Sequence, residues 1–123
     1  MKIFKLFACL SKEELKLLRK AVISPLYNTN QKVVRLFEIL RPLHPNFDDS
    51  IKTRKKISKK LFPKEAYNDY KLRWHFTELT KIIEQLLLFI GQEADEFERQ
   101  KRLSEMYRQR NLYRNAKEIT LHS

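Results

Sequence analysis

Lys52, Lys55, Lys56, Lys59 and Lys60 lie within nine residues of one another. In a helix of about 3.6 residues per turn these positions fall on one continuous arc. Ile57 and Leu61 fall opposite. Such a helix docks by its apolar side and turns a row of ammonium groups outward. The chemistry open to it is electrostatic. Like charges on one helix face repel and cost stability. A partner carrying phosphates relieves that repulsion and releases counterions. Lysine attracts phosphate as a point charge, while arginine is the side chain suited to bidentate reading of bases. Backbone contact is therefore the expectation. Lys64, Lys71 and Arg73 extend the cluster, so the candidate nucleic-acid-binding set is Lys52, Lys55, Lys56, Lys59, Lys60, Lys64, Lys71 and Arg73. A solvated lysine face that only keeps the protein soluble fits the same spacing.

The charge is concentrated there. The chain carries a net charge of +11, and residues 51–75 hold nine basic side chains against two acidic ones. Residues 76–123 hold eight of each. A strongly basic segment in an otherwise balanced chain points to nucleic acid or another polyanion as partner.

Residues able to carry catalysis are scattered. His44, His75 and His122 stand in no metal-ligand spacing. His75, beside Trp74, reads as a helix-surface or rim residue. Gly91 is the only glycine, which excludes a phosphate-binding loop. No serine sits in a nucleophile elbow. Glu93, Asp95, Glu96 and Glu98 form an acidic patch, but the neighbouring Arg99, Lys101 and Arg102 suit ion pairs within a helix better than a metal. No enzyme, cofactor, metal site or small-molecule substrate is expected.

The elements that must position the lysines are helices. The 123 residues fit one domain, and with 42% hydrophobic and 11% aromatic residues there is enough apolar material for a core. A single glycine leaves almost no source of the tight hairpin turns that sheets need. Cys9 is the only cysteine, so no internal disulfide or cysteine metal cage can form, and a reducing, cytoplasmic location is expected. No apolar run approaches the ~18 residues of a membrane span. In the opening MKIFKLFACL, Lys5 interrupts a run too short for a signal core, leaving a short amphipathic helix.

Further helices follow. Ser11 and Glu14 form a capping box ahead of Leu15, Leu18 and Val22, and Pro25 ends that element. Asn28-Thr29-Asn30 is a turn leading to a helix with Val33, Val34, Phe37 and Leu40 on one side, closed before Pro42. Ser50 to Phe62 is the lysine helix, with Thr53 as a candidate cap and Pro63 as its stop. Asn68 or Asp69 caps the longest helix. Its core seam is Leu72, Phe76, Leu79, Ile83, Leu86 and Ile90, at alternating spacings of four and three. Leu86 to Ile90 is apolar on every side, which predicts burial all round. Gly91 ends or bends this helix, and two more are predicted near 93–109 and 112–121.

Three resemblances attach to these elements. From Thr53 to Leu86, a short helix ending in Leu61-Phe62-Pro63, a brief turn and a helix opening on Lys71-Leu72-Arg73 resemble the helix-turn-helix of winged-helix regulators. That resemblance implies a second helix in the major groove, although no glycine-rich wing follows, and an ordinary αα corner fits as well. Leu103, Ser104, Tyr107, Asn111, Tyr113, Ala116 and Thr120 resemble a tetratricopeptide-type hairpin, with Asn111 in the usual glycine position and Thr120 in that of an aromatic. It implies the start of a longer helical-repeat protein, or an end that packs on a partner; a generic terminal hairpin is the alternative. The stretches Leu10-Ser11-Lys12-Glu13-Glu14-Leu15, Ser24-Pro25-Leu26-Tyr27-Asn28-Thr29-Asn30 and Lys60-Leu61-Phe62-Pro63 with Tyr67-Asn68-Asp69 are similar to the N-terminal region of uncharacterised, longer all-helical Bacteroidota proteins. No activity comes with that similarity.

The expected architecture is all-α: a small helical bundle over residues 1–91 with a helix-turn-helix-like corner, then a helical hairpin over 92–123. Two functions stand side by side. One is a non-enzymatic module binding nucleic acid through the basic segment 52–73. The other is a protein-interaction or scaffold module with an exposed apolar patch near Phe97, Tyr107 and Tyr113.

Overall fold

In the computed structural model the described residues are 1–110. They form five α-helices: α1 (Lys2–Ala8), α2 (Lys12–Ile23), α3 (Gln31–Leu40), α4 (Ile51–Leu61) and α5 (Asp69–Gln109), with a single 3₁₀ turn at Arg41–Leu43. No strand occurs among the described residues. The all-α expectation holds. The chain divides into two compact units, Met1–Leu86 and Leu87–Ser123.

Local chemistry sets the helix starts. Ser11 Oγ accepts from Glu14 N, and Glu14 Oε1 accepts from Ser11 N, the reciprocal pair of a capping box. Asn30 Oδ1 accepts from Lys32 N at the start of α3, and Asn68 Oδ1 accepts from Lys71 N at the start of α5. For α4 the cap is Ser50, whose Oγ accepts from Thr53 N, so Thr53 is the third helical residue and not the cap.

The first unit is built around one apolar core. Buried in it are Ile3, Phe4 and Phe7 of α1, Leu15, Leu18 and Val22 of α2, and Val33, Leu36, Phe37 and Leu40 of α3. Ile57 and Leu61 of α4 and Leu72, Phe76, Leu79 and Ile83 of α5 complete it. Leu36 and Ile39 are buried beyond the single predicted face of α3, because α2 and α4 both pack against that helix. Phe4 stacks on Phe47 at 5.6 Å between ring centres and meets Phe76 edge-on at 5.5 Å. His44 Nε2 lies 2.8 Å from the Leu10 carbonyl, tying the 44–47 loop to the end of α1.

Two expectations for α5 fail. The helix does not end or restart at Gly91 but runs from Asp69 to Gln109, so no separate helix begins near 93. One helical glycine costs only about 1 kcal/mol, and the residues around it are good helix formers. Nor is the stretch from Leu86 to Ile90 buried all round, since Leu88 and Phe89 are 67% and 54% exposed and Leu86 is half-buried. Local apolarity gives what a helix can bury, and burial also needs a neighbour that covers it. Ile83 is the last fully buried residue of the seam. Of the predicted terminal hairpin, Asn111, Tyr113, Ala116, Thr120 and the 112–121 helix lie outside the described residues.

Candidate nucleic-acid interface

The site begins with the amphipathic character of α4. Ile57, Ser58 and Leu61 are buried, and α3 packs on that side. Lys52, Lys55, Lys56, Lys59 and Lys60 are all exposed, on an arc of about 140° at 100° per residue. Among the described residues none of the five has a carboxylate within ion-pair distance. Lys55 holds its ammonium 5.8 Å from the centre of the Tyr67 ring. The last turn, with Lys59 and Lys60, gains from the helix dipole, and the first, with Lys52, does not.

Arg54 differs from its neighbours. It turns inward, and its Nη2 and Nε donate to Asp49 Oδ1 at 2.7 and 3.1 Å. The Met1 amino group donates to the same carboxylate. That amino group first, then Arg54, hold Asp49 below the ordinary carboxylate value, and the bond to Asp49 in turn raises the pKa of Arg54. Arg54 anchors the start of α4 and is not part of its outward charge.

The remaining candidates divide. Lys64 is exposed. Lys71 Nζ donates to both carboxylate oxygens of Glu65, at 2.8 and 2.9 Å, and sits 4.4 Å from the centre of the Phe62 ring. Arg73 Nε donates to Asp69 Oδ2 at 2.6 Å. Asp69 also accepts from the Tyr67 hydroxyl at 2.7 Å, which above all lowers its pKa and raises that of Tyr67. The two basic residues that a helix-turn-helix would aim at base edges are thus each engaged with a carboxylate. The connection between α4 and α5 covers residues 62–68, longer than the 3–4-residue turn of that motif.

The structure adds a residue that sequence reasoning missed. Lys32, in the first turn of α3, donates from Nζ to the Leu61 carbonyl at 2.9 Å and lies 5.3 Å from the centre of the Phe62 ring. It caps the C-terminus of α4 while joining Lys64 and Lys71 around an open depression of about 500 Å³, lined also by Asn30, Glu65 and His75. Nothing in the sequence points to this, because Lys32 is 29 residues from Leu61. His75 is not a rim residue: it is 6% exposed, and its Nδ1 lies 2.8 Å from the Lys71 carbonyl.

Elsewhere, Arg99 pairs with Glu96 at 3.8 Å, as the acidic patch predicted. Among the described residues no group of three or more His, Cys, Asp or Glu is placed to hold a metal ion, and no helix is long and apolar enough to cross a membrane. Comparisons of the chain with protein-family models, curated proteins and solved structures each returned no match.

Proposed function

We propose that this chain is a non-enzymatic helical module that binds the phosphate backbone of nucleic acid through α4. The observation that carries the reading is the exposed arc of Lys52, Lys55, Lys56, Lys59 and Lys60, with no acidic partner among the described residues. Some basic residues of the first unit find carboxylates, as Lys71 does with Glu65, Arg73 with Asp69 and Lys81 with Glu78, and others, such as Lys12, Lys16 and Arg19, do not; what sets α4 apart is five unpaired lysines on one face of one helix. The α4 lysines stand as uncompensated charge on a rigid element whose other face is fixed in the core. Lys64 and Lys32 extend that charge around the C-terminal end of α4. The ligand is read by charge spacing and not by base identity, since Lys71 and Arg73 are engaged locally.

Titrating the protein with oligonucleotides at increasing salt tests this. Affinity falls as a power of salt concentration, with an exponent of about 0.9 for each phosphate neutralised on duplex DNA. Replacing Lys55, Lys56, Lys59 and Lys60 together by glutamate abolishes binding and leaves the helical content unchanged, because Ile57 and Leu61 do the docking. Binding to no nucleic acid at ~50 mM salt, or equal binding after charge reversal, reduces the lysine face to a solvated surface.

A second reading has its own observation. In the 87–109 part of α5, Leu88, Phe89, Phe97, Leu103 and Met106 are between 44% and 67% exposed. Large apolar side chains repeated along one helix mark a protein-interaction surface, which supports a scaffold role within a longer helical assembly. Light scattering over a concentration series tests it: a strict monomer removes self-association from that reading.

A further inference from the structure

The lysine arc specifies charge but not the form of the nucleic acid. Exposed aromatic side chains at the start of α5 do. Trp74, the one tryptophan of the chain, lies on α5 with 46% of its surface exposed. Tyr70, four residues earlier and therefore on the same helix face, is 81% exposed. Neither ring is needed to fill the core of the first unit. Trp74 is linked to the charge through two buried rings. Trp74 meets the edge of His75 at 4.9 Å between ring centres, and His75 meets Phe62 at 5.1 Å. Phe62 in turn carries the ammonium groups of Lys71 at 4.4 Å and Lys32 at 5.3 Å. A row of three rings thus leads from an exposed indole to the rim of a basic depression.

An exposed indole joined through His75 and Phe62 to two ammonium groups matches one ligand chemistry closely. A duplex keeps its base faces stacked on one another and offers a protein only phosphates, sugars and base edges. A single strand offers free base faces, and these stack on exposed aromatic rings with little regard to sequence. A sulfated polysaccharide or an anionic membrane has charge but no aromatic face.

We propose that Trp74 and Tyr70 form a stacking platform for unpaired bases, with the phosphates of the same strand held at Lys32 and Lys64, whose charge has no carboxylate partner among the described residues. The preferred ligand of the basic surface is then single-stranded nucleic acid. This rests on the nucleic-acid reading above and deepens it by naming the strand form.

The test uses the full chain with an oligothymidylate of about 16 nucleotides, a duplex of the same length, and heparin. With only one tryptophan, intrinsic fluorescence reports on Trp74 directly. The single strand quenches it, and duplex and heparin do not. Tyr70→Ala, at a site too exposed to affect folding, weakens single-strand binding by roughly ten-fold, within the range for one lost stacking contact. Trp74→Ala weakens it at least as much, and Trp74→Phe retains most of it. Duplex affinity stays the same in all three variants. Equal affinity for both forms, or single-strand binding unaffected by Tyr70→Ala and Trp74→Ala, overturns the platform while leaving the nucleic-acid reading intact if charge reversal on α4 still abolishes binding. Binding of heparin alone overturns both.

Discussion

Lys71 holds its ammonium group 4.4 Å from the centre of the Phe62 ring, at the point where α4 gives way to the connection with α5. Phe62 is 6% exposed, and Lys32 and His75 also approach its ring. One phenyl group therefore joins α3, α4 and α5. Phe62→Ala is expected to cost ~3–5 kcal/mol by the usual scale for a buried phenylalanine. Urea denaturation followed by circular dichroism measures it, and a loss below about 1 kcal/mol would show that the junction does not depend on this ring.

The seam of α5 makes a graded prediction. Leu79→Ala and Ile83→Ala remove fully buried side chains and should each cost ~2–5 kcal/mol. Leu88→Ala, at a side chain 67% exposed, should change stability by no more than about 0.5 kcal/mol. A large loss for Leu88→Ala would mean that a partner or a second copy covers it in solution.

Repulsion along α4 predicts a variant that gains stability while weakening the proposed polyanion binding. Lys56 stands four residues from both Lys52 and Lys60, so it belongs to two like-charge pairs on one face. Each such pair is unfavourable by about 0.2–0.5 kcal/mol, and a glutamate there makes both attractive. Lys56→Glu should raise the melting temperature at low salt and weaken polyanion binding in the same preparation. If melting temperature falls, the lysine has a structural partner.

Acid should destabilise the first unit through two carboxylates. Asp49 is held below the ordinary value by the Met1 amino group and Arg54, and Asp69 by the Tyr67 hydroxyl and Arg73. A depressed carboxylate contributes stability that is present above its unfolded pKa and is lost as pH falls through the folded one. Melting temperature should therefore be flat near neutrality and drop below about pH 4. Asp49→Asn and Asp69→Asn should lower it at pH 7 and reduce the acid-induced drop; an unchanged profile in both variants would exclude these pairs as its source.

Gly91 offers a stabilising change. It lies inside α5 without a positive φ, and a Cβ built there meets nothing within 4 Å. Gly91→Ala should stabilise the helix by about 0.5–1 kcal/mol, the ordinary difference between these residues in a helix interior. Slower amide exchange around residue 91 would register it. Faster exchange would mean that the bend predicted there is populated in solution.

What was legible in the sequence is what depends on neighbours along the chain. The capping box of Ser11 and Glu14 needs four consecutive residues, and the lysine arc of α4 needs only helical spacing. Both are as expected. What was not legible depends on distant residues. Apolarity from Leu86 to Ile90 reports what a helix could bury, not whether a neighbour covers it, and Leu88 and Phe89 are exposed. His75 looked like a rim residue because its ring neighbours, Phe62 above all, are supplied by the fold. Lys32 joins Lys64 and Lys71 only through the packing of α3 on α4.

The edge-on contact between Phe4 and Phe76 also bears on how the protein is made. The partners are separated by most of the first unit, so α1 cannot complete its packing until α5 has left the ribosome. At roughly 5–20 residues per second, the chain carries Ile3, Phe4 and Phe7 for about 4–15 seconds before residue 76 is even polymerised. Phe37 and Phe47, which also meet α1, arrive earlier. They shelter the nascent α1 before Phe76 is made, and substitutions there should raise aggregation during synthesis more than their effect on the finished fold would suggest.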